Sequence, residues 1–557
     1  MWIRAKRIAF ELDLLVSFHT HLCAKYQRID FATPSTDKNS MNSTLSSALD
    51  TPLTLNKRQA GILLHPTSLP GGMGHGSLGS DAYRFVDFLN ASGFTVWQTL
   101  PLGPTDAYNN PYSSPSVNGG NPRLIDLGTL IESGWLASTV EGRAIGNGDL
   151  QKATSFTQEA FAYHKNCLDE ARVGFLKRAT GEEKDDYDAF LAENSYWLDD
   201  YSMFEVLRER HSGASWWEWP TALRDRESTA VDEARTALID SIEQIRFEQF
   251  LFFRQWFDLK KYANDRGISL FGDMPIFVDL NNASVWAHRH YFRLDKEGKP
   301  TVVTGVPPDY FSETGQLWGN PHYDWDRMRE DGFLWWRERF QGHLQLFDLL
   351  RVDHFRGFEA SWEVPIKDKT AMNGRWVKAP GAELFTVLQE VFPELPLIAE
   401  DLGVITREVD ALRDGFGFPG MRVLHFGFDG DPNNPHVPHH HTANSVVYAG
   451  THDNDTTLGW FESLANSERG RACDYLNVSP DIPGTDFVEV LMRAVLASVG
   501  NLSVLSMQDI LGLGSKDRMN MPGVAKGNWR WRFSWDQLSP DPEMYLRDLV
   551  TLYGRGL

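Results

Sequence analysis

Residues 347–358 read FDLLRVDHFRGF, a run of Leu, Val and Phe that also holds Arg351, Asp353, His354 and Arg356. A solvated loop rarely carries so many large apolar residues, and a strand buried on both faces rarely carries so much charge. The run therefore predicts a buried strand with functional side chains at its carboxyl end, where one carboxylate lies between two arginines.

Short apolar runs of this kind recur along the chain from Lys57 onward, and most of them end in polar residues. Eight occur, at 61–66, 95–101, 268–277, 349–355, 395–402, 422–428, 445–453 and 502–509. Helical patterns lie between several of them, at 80–90, 231–265, 381–391, after 406 and at 486–499. Strands separated by helices pair in parallel through right-handed crossovers. Eight such units predict an α/β fold, the closed (β/α)8 TIM barrel.

The interval from 102 to 267 is too long for a single crossover. Acidic, aromatic-rich stretches within it, such as 156–178 and 187–208, have helical character. They predict a mainly helical subdomain at 130–235, inserted in a catalytic barrel that spans 57–557.

Residues 1–56 differ from the rest, because a basic, mildly apolar start is followed by a polar, Ser/Thr-rich stretch. Glu11 and Asp13 interrupt the apolar part, which argues against a signal peptide. We expect a poorly ordered N-terminal extension, which either precedes the true initiator at Met41 or acts as an organellar transit peptide. The expected location is the cytoplasm, or a plastid if the extension is a transit peptide.

The composition restricts the class of function. Of the 557 residues 42% are hydrophobic, but no apolar run approaches the ~20 residues of a membrane span. The net charge of −21 disfavours nucleic acid, which demands a basic surface, whereas neutral substrates remain compatible. The three cysteines lie far apart without CxxC spacing, which argues against a disulfide framework or a zinc site.

Catalytic groups of (β/α)8 barrels collect at the carboxyl ends of the strands. The side chains at these ends are His65, Asp273, Asp353, Glu400, Asp401, His452, Asp453 and Asp509. Metal binding is one option for such a set, although no pair of histidines has the HExxH spacing of a zinc site. Glycoside chemistry is the other option, because a retaining reaction needs two carboxyl groups about 5–5.5 Å apart.

Three of these carboxylates suit separate tasks in glycoside chemistry. Arg351 lies two residues before Asp353 on the same side of the strand, so it is expected to lower the pKa of this nucleophilic carboxyl. Glu400 ends the apolar run PLIAE, where burial is expected to raise its pKa and keep a proton for the leaving oxygen. Asp453 follows another strand end, from which it could bind the sugar hydroxyls.

Two other motifs are interpreted as loops. GHGSLG at 74–79 has the spacing of a dinucleotide-binding turn, but it does not follow its strand directly and no acid lies about 20 residues later. PHVPHHH at 435–441 is a Pro/His segment that would hold a metal only adventitiously.

The motifs RVDHFRG, AEDLG, GTHDND, PLGPT, VPPDYFSETGQLWGNP and RMNMPGVAKGNWRWR resemble those of glycoside hydrolase family 77. These are the 4-α-glucanotransferases called amylomaltases or disproportionating enzymes, and the resemblance covers about residues 57–555. It implies retaining transfer of part of an α-1,4-glucan to the 4-hydroxyl of another glucan or of glucose. Maltooligosaccharides and α-1,4-glucans would be the partners, without a cofactor or a metal. We expect a monomer or a homodimer.

Residue roles are implied by the matching motifs. Asp353 would be the nucleophile, Glu400 the general acid/base and Asp453 the transition-state stabiliser. The implied substrate contacts are Arg351, His452, Tyr112, Trp286, Asp309, Asn520 and Asp401, with Trp286 stacked on a sugar ring.

Two segments depart from the family pattern. Relatives commonly read Asp-Ser-Pro-Tyr-Gln where residues 109–113 read NNPYS, and Asp-Ser-Ala-Asp-Val-Trp where residues 281–286 read NNASVW. These changes leave the three proposed catalytic residues untouched. They bear on remote donor-side contacts, and therefore on chain-length preference.

The stretch 306–318, VPPDYFSETGQLW, is interpreted as a cover that keeps water out. Its two prolines stiffen it, and Tyr310, Phe311 and Trp318 give it an apolar face. Hydrolysis and transfer differ only in whether water or a sugar hydroxyl arrives second, so an α-amylase-like hydrolase is the main alternative. A glucan-binding protein without turnover is a further hypothesis, which the intact set of carboxylates disfavours.

Overall fold

The computed structural model describes residues 55, 57–71, 74–137, 158–308, 312–524, 526–538 and 541–556. The extension predicted at 1–56 lies outside these residues apart from Leu55, and so do Asp309, Tyr310 and Phe311 of the predicted cover. Leu53–Leu557 forms one compact unit.

A closed parallel barrel occupies the centre of this unit. With strands numbered along the chain, its members are β1 (Gln59–Leu63), β2 (Val96–Gln98), β3 (Ser269–Pro275), β6 (Leu349–Asp353), β9 (Leu397–Ala399), β10 (Gly420–Val423), β11 (Ser445–Tyr448) and β12 (Leu502–Ser506). Each pairs in parallel with the next, and β12 pairs with β1, so chain order and spatial order coincide. The eight predicted runs each contain or overlap one barrel strand, and the predicted (β/α)8 fold is confirmed.

The α-helices of the described residues surround the barrel or lie in its insertions. They are α1 (Ser80–Ala91), α2 (Leu127–Glu132), α3 (Gln158–Arg178), α4 (Gly181–Arg210), α5 (Thr221–Arg224), α6 (Ser228–Ala237), α7 (Ile239–Asn264), α8 (Ala283–Ala287), α9 (Trp325–Glu330), α10 (Leu334–Leu346), α11 (Gly381–Val391), α12 (Arg407–Gly415), α13 (Thr457–Ser463), α14 (Asn466–Leu476), α15 (Gly484–Ala497), α16 (Met507–Ile510) and α17 (Pro542–Leu552). None of them is long and apolar enough to cross a membrane.

The barrel interior explains where the charged side chains point. One apolar cluster fills it and includes Val96, Phe271, Leu349, Ile398, Val446 and Leu502. Side chains two positions apart on a strand lie on the same face. Phe271, Leu349 and Ile398 are followed two positions later by Asp273, Arg351 and Glu400, respectively. The charged groups therefore lie directly above the apolar floor, at the carboxyl end of the barrel.

A second sheet, which was not predicted, lies beside the barrel. It is antiparallel, in the order β5-β4-β7-β8, with β4 at Val302–Val306, β5 at Gln316–Pro321, β7 at Ala360–Pro365 and β8 at Arg375–Lys378. Two of its strands, β5 and β8, are largely exposed, so no continuous apolar run marks them in the sequence. Residues 307–315 of the predicted cover connect β4 to β5, and hydrogen-bonded strands therefore anchor both ends of that connection.

Glycines of the GHGSLG segment serve close packing. A Cβ on Gly76 would lie 2.0 Å from the carbonyl oxygen of Pro66, and one on Gly79 would lie 2.2 Å from the Asp126 carboxylate. A side chain at Gly76 would collide with backbone, and one at Gly79 would displace the Asp126 carboxylate. This requirement accounts for two glycines of the motif without a nucleotide.

Helices α2 to α7 lie between β2 and β3, in the interval that contains the subdomain predicted at 130–235. The single helix predicted at 231–265 is two helices, α6 and α7, because the backbone leaves the helical conformation at Leu238. On α7, Glu248 is buried and accepts a hydrogen bond from the Gln244 side chain at 3.0 Å. Burial raises the pKa of Glu248 to about 7.

This carboxyl makes stability depend on pH. A folded-state pKa raised above the unfolded value means that the stability is fully present below about pH 4.5 and is lost as the pH rises through 7. The full loss amounts to about 3 kcal/mol of unfolding free energy. We expect Glu248→Gln to remove this dependence and to raise the melting temperature at pH 8, measured by differential scanning calorimetry.

Glu193→Gln on α4 is the matched control, because Glu193 is exposed. Its melting temperature should follow that of the parent chain at every pH. A Glu248→Gln variant with the same pH dependence as the parent chain would contradict the prediction.

Candidate active site

Arg351 lies between two carboxylates at the carboxyl end of the barrel. Its Nη1 donates to Oδ2 of Asp273 at 2.5 Å, and its Nη2 donates to Oδ1 of Asp353 at 2.7 Å. Asp353 is the last residue of β6, and Asp273 lies on the neighbouring strand β3, directly opposite Arg351 in the register. A guanidinium presents its N–H groups in a fixed plane, so two simultaneous contacts also determine its orientation.

Glu400 lies beside Asp353 on the neighbouring strand. Val352 of β6 is opposite Ala399 of β9, so the two carboxyl-bearing residues follow at equivalent positions of adjacent strands. Adjacent parallel strands are about 4.8 Å apart, which suits the spacing of about 5–5.5 Å that a retaining carboxyl pair requires. Oε2 of Glu400 accepts from the His354 N–H at 2.7 Å, and Oε1 accepts from the Leu402 N–H at 2.8 Å.

The backbone at His354 has an uncommon conformation that serves this contact. His354 has φ 54° and is therefore left-handed, which is rare for a residue other than glycine. The turn separates the end of β6 from the 3-10 helix Phe355–Phe358 and directs the His354 N–H toward Glu400. Strained backbone of this kind persists where surrounding contacts over-determine it.

The two carboxyl groups have different protonation behaviour. Burial, followed by the nearby charge of Asp353, raises the pKa of Glu400 to about 8. Burial also raises the pKa of Asp353, although the Arg351 guanidinium opposes this shift. The expected lowering by Arg351 is therefore present, but burial outweighs it. Because Asp353 bonds directly to Arg351 and is partly exposed, whereas Glu400 is buried, we assign the ionised form to Asp353 and the protonated form to Glu400.

Asp453 lies at the same mouth and is held by one loop. Its Oδ1 accepts from Nδ2 of Asn520 at 2.6 Å, and its backbone carbonyl accepts from Arg518 at 3.0 Å. Nε2 of His452 lies 3.5 Å from the other carboxylate oxygen of Asp453. The predicted residue Asn520 therefore contacts a predicted catalytic residue directly. Arg518, which sequence reasoning missed, lies only two residues before it.

Tyr112 links the two sides of the mouth. Its hydroxyl lies 2.7 Å from Oδ2 of Asp273 and 2.8 Å from Nε2 of His452. The Tyr112 and His452 rings also stack, with centroids 5.3 Å apart. Asp353, Arg351, Asp273, Tyr112 and His452 thus form one continuous chain of hydrogen bonds.

The structure contradicts two of the predicted substrate contacts. Trp286 is 0% exposed, its indole N–H donates to the Leu223 carbonyl at 3.1 Å, and it packs in the core, so no sugar ring can stack on it. Asp401 is buried, accepts from the Met421 N–H at 2.6 Å and pairs with Arg413 and Arg422. Its carboxylate therefore joins barrel segments. The sequence placed both residues beside motifs but could not show which way each side chain points.

Two further strand-end residues, Asp509 and His65, are also buried. Asp509 accepts from the backbone N–H and the hydroxyl of Thr457 at 2.8 and 2.9 Å. Burial lowers the pKa of His65 to about 3, so its ring is neutral. Among the described residues no group of three or more His, Cys, Asp and Glu side chains could hold a metal ion. Cys167 and Cys473 are free and buried.

Comparison with known proteins gives a consistent result for most of the chain. A family model described as 4-alpha-glucanotransferase matches residues 64–538. A 4-alpha-glucanotransferase of Thermus thermophilus is 49% identical over 498 residues, which are 88% of this chain and 98% of that protein. A chloroplastic/amyloplastic 4-alpha-glucanotransferase of Solanum tuberosum is 42% identical over 510 residues, covering 90% of this chain and 87% of the relative.

Solved structures with the same architecture also match. An amylomaltase from Streptococcus agalactiae in complex with acarbose has a TM-score of 0.84 and 38% identity, covering 90% of this chain and all of that one. An amylomaltase from Corynebacterium glutamicum has a TM-score of 0.73 at 18% identity, covering 92% of this chain and 76% of that one. The second likeness supports the fold alone.

The pKa of Glu400 predicts a basic limb in the pH–rate profile. With maltotriose, kcat/KM should fall above about pH 8, because Glu400 then loses the proton needed by the leaving oxygen. Glu400→Gln should lower kcat/KM by about 10²–10⁴-fold and remove this limb, because an amide does not titrate. Rates of glucose release between pH 5 and 10 measure both effects.

An α-glucosyl fluoride donor is the control, because fluoride leaves without a proton. The Glu400→Gln variant should therefore still release fluoride in its first turnover. A basic limb that persists in the variant would assign the titration to another group.

Proposed function

The chain belongs to the 4-alpha-glucanotransferase family, and we propose that it carries out its reaction between Asp353 and Glu400 at the carboxyl end of the barrel. It is a glycosyltransferase that acts on α-1,4-glucans: it moves a segment of one glucan to the 4-hydroxyl of another glucan or of glucose. The observation that carries the assignment of the site is the adjacency of an arginine-bound carboxylate and a buried, proton-retaining carboxyl on neighbouring strands.

In the first step, the Asp353 carboxylate attacks the anomeric carbon of the donor. The bond to the leaving 4-oxygen breaks as Glu400 gives that oxygen its proton, so a covalent glycosyl ester forms on Asp353. In the second step, Glu400 takes the proton from the 4-hydroxyl of the acceptor, which attacks the same carbon and releases Asp353. Two inversions give net retention.

Asp453 supports the transition states of both steps. Positive charge develops on the sugar ring as the glycosidic bond breaks, and a carboxylate at the mouth stabilises this charge. Asn520 and Arg518 hold Asp453 in place by hydrogen bonds to its side chain and its carbonyl. Arg351, His452 and Tyr112 are proposed as the groups that define the pocket for the sugar at the cleavage point.

Transfer requires that an acceptor sugar competes successfully with water. The stretch 306–318, which includes the connection between β4 and β5, is proposed as the cover that excludes water. Trp318 of β5 supports this role, because it is partly exposed and its ring meets the His354 ring edge-on, with centroids 4.7 Å apart. An aromatic face next to the residue that follows Asp353 would hold an acceptor sugar. The hydrolase alternative is not favoured, since the relatives reported above are transferases by name.

Maltooligosaccharides are the proposed substrates, in keeping with the acarbose bound to the related amylomaltase. A monomer or a homodimer remains a prediction. We propose the cytoplasm as the location, or a plastid if residues 1–56 act as a transit peptide. The plastid is included because the Solanum tuberosum relative is chloroplastic/amyloplastic by name.

Incubation with maltotriose distinguishes transfer from hydrolysis. We expect glucose together with a ladder of maltodextrins longer than maltotriose, because the glycosyl ester is resolved by a second sugar. Chromatography of the products and a reducing-end assay measure this outcome. A net gain of reducing ends without longer products would identify a hydrolase.

Asp353→Asn tests the nucleophile. An amide of the same shape cannot form the ester, so turnover of maltotriose should fall by about 10⁴-fold or more. Binding of maltooligosaccharides, measured by isothermal titration calorimetry, should persist and would show that the site remains folded. Undiminished turnover in this variant would overturn the assignment of Asp353.

A further inference from the structure

We propose that Asp273 is a positioning residue for the transfer reaction, whose carboxylate orients Arg351 toward the nucleophile and Tyr112 toward His452. This inference rests on the proposed role of Asp353 as the nucleophile. Asp273 does not contact the substrate in this proposal, because its side chain is 0% exposed.

The strand register brings Asp273 to Arg351. Asp273 on β3 is directly opposite Arg351 on β6, and Pro275 is opposite Asp353. The carboxylate of Asp273 therefore meets one edge of the guanidinium while that of Asp353 meets another. Without Asp273, only the contact to Asp353 would orient the Arg351 head group, which could then rotate about its side-chain bonds.

A single oxygen of Asp273 serves both sides of the site. Oδ2 accepts from Arg351 at 2.5 Å and from the Tyr112 hydroxyl at 2.7 Å. A hydroxyl has only one proton, so Tyr112, which donates it to Asp273, must accept its second hydrogen bond, from His452. The proton of His452 therefore lies on Nε2. Asp273 thus determines the direction of the hydrogen-bond chain from Arg351 to His452.

Asp273 also influences the charge of the nucleophile. The charged and titratable groups that face Asp353 are Arg351 from its own strand, Asp273 from β3, Glu400 after β9, Tyr112 from the segment after β2, and His452 and Asp453 from the segment after β11. The negative charge of Asp273 raises the pKa of Asp353, and Arg351 lowers it. An uncharged residue at 273 would remove the first effect, which favours ionisation of the nucleophile.

Asp273→Asn is the test, with glucose release from maltotriose measured from pH 4 to 10. We expect kcat to fall at least about 100-fold, because a small misplacement of a catalytic group has an effect of this size. The acid limb of kcat/KM should move to lower pH, because the negative charge of Asp273 no longer raises the pKa of Asp353. The basic limb, which belongs to Glu400, should stay in place.

Asp509→Asn is the matched control, since Asp509 is a buried carboxylate at another strand end that bonds only to Thr457 and Ser506 in the described part of the chain. After correction for folded protein, its kcat should stay within about threefold of the parent value, with both limbs unmoved. A merely structural Asp273 would behave in the same way as this control. An unmoved acid limb in folded Asp273→Asn, or a kcat within threefold of the parent value, would overturn the proposal.

If Asp273→Asn does not fold, Asp273→Glu is the test of the positioning role. It keeps the charge but displaces the carboxylate by one CH₂ group, so kcat should fall at least tenfold while the acid limb stays in place. A kcat within twofold of the parent value would refute positioning. A parent chain that forms no maltodextrin ladder would instead refute the proposed function, so the two failures can be distinguished.

Discussion

The site depends on one guanidinium shared by two carboxylates above an apolar barrel floor. Arg351 is buried, and a buried cation is tolerated only when opposite charge and hydrogen-bond acceptors surround it. Asp273 and Asp353 supply both, from the neighbouring strand and from the same strand. Because water is largely excluded there, each contact is stronger than it would be at the surface, and the three side chains fix one another.

The same exclusion of water gives the two carboxyl groups of the proposed reaction different protonation states. Asp353 has the guanidinium as its partner and can remain ionised. Among the described residues, Glu400 accepts hydrogen bonds from two backbone N–H groups, and it lies beside the charge of Asp353. Burial, together with that charge, raises its pKa to about 8. The proposed acid and the proposed nucleophile thus arise from two similar side chains at the ends of adjacent strands. The left-handed turn at His354 supplies one of the two N–H groups, so a local backbone feature acts directly on the proposed general acid.

The barrel could be predicted because its strands are buried on both faces and appear as continuous apolar runs. Helices such as α1 and α11 could be predicted to within one residue at each end, because their apolar positions repeat every three to four residues. The four-stranded sheet could not, since β5 and β8 are mostly exposed and carry no continuous apolar run. Trp286 and Asp401 show a similar limit for the site. Both were predicted to contact the substrate, yet one faces the core and the other pairs with two arginines.

The sequence by itself determined the order of eight strands, the residues that end them and the family to which the motifs point. Those features are local, because the period of apolar residues and the identity of a strand's last side chain are properties of short segments. Only the tertiary structure decided which of the strand-end groups meet. Tyr112 lies 161 residues from Asp273 and 340 residues from His452 along the sequence. The closed barrel brings the three into one network of hydrogen bonds.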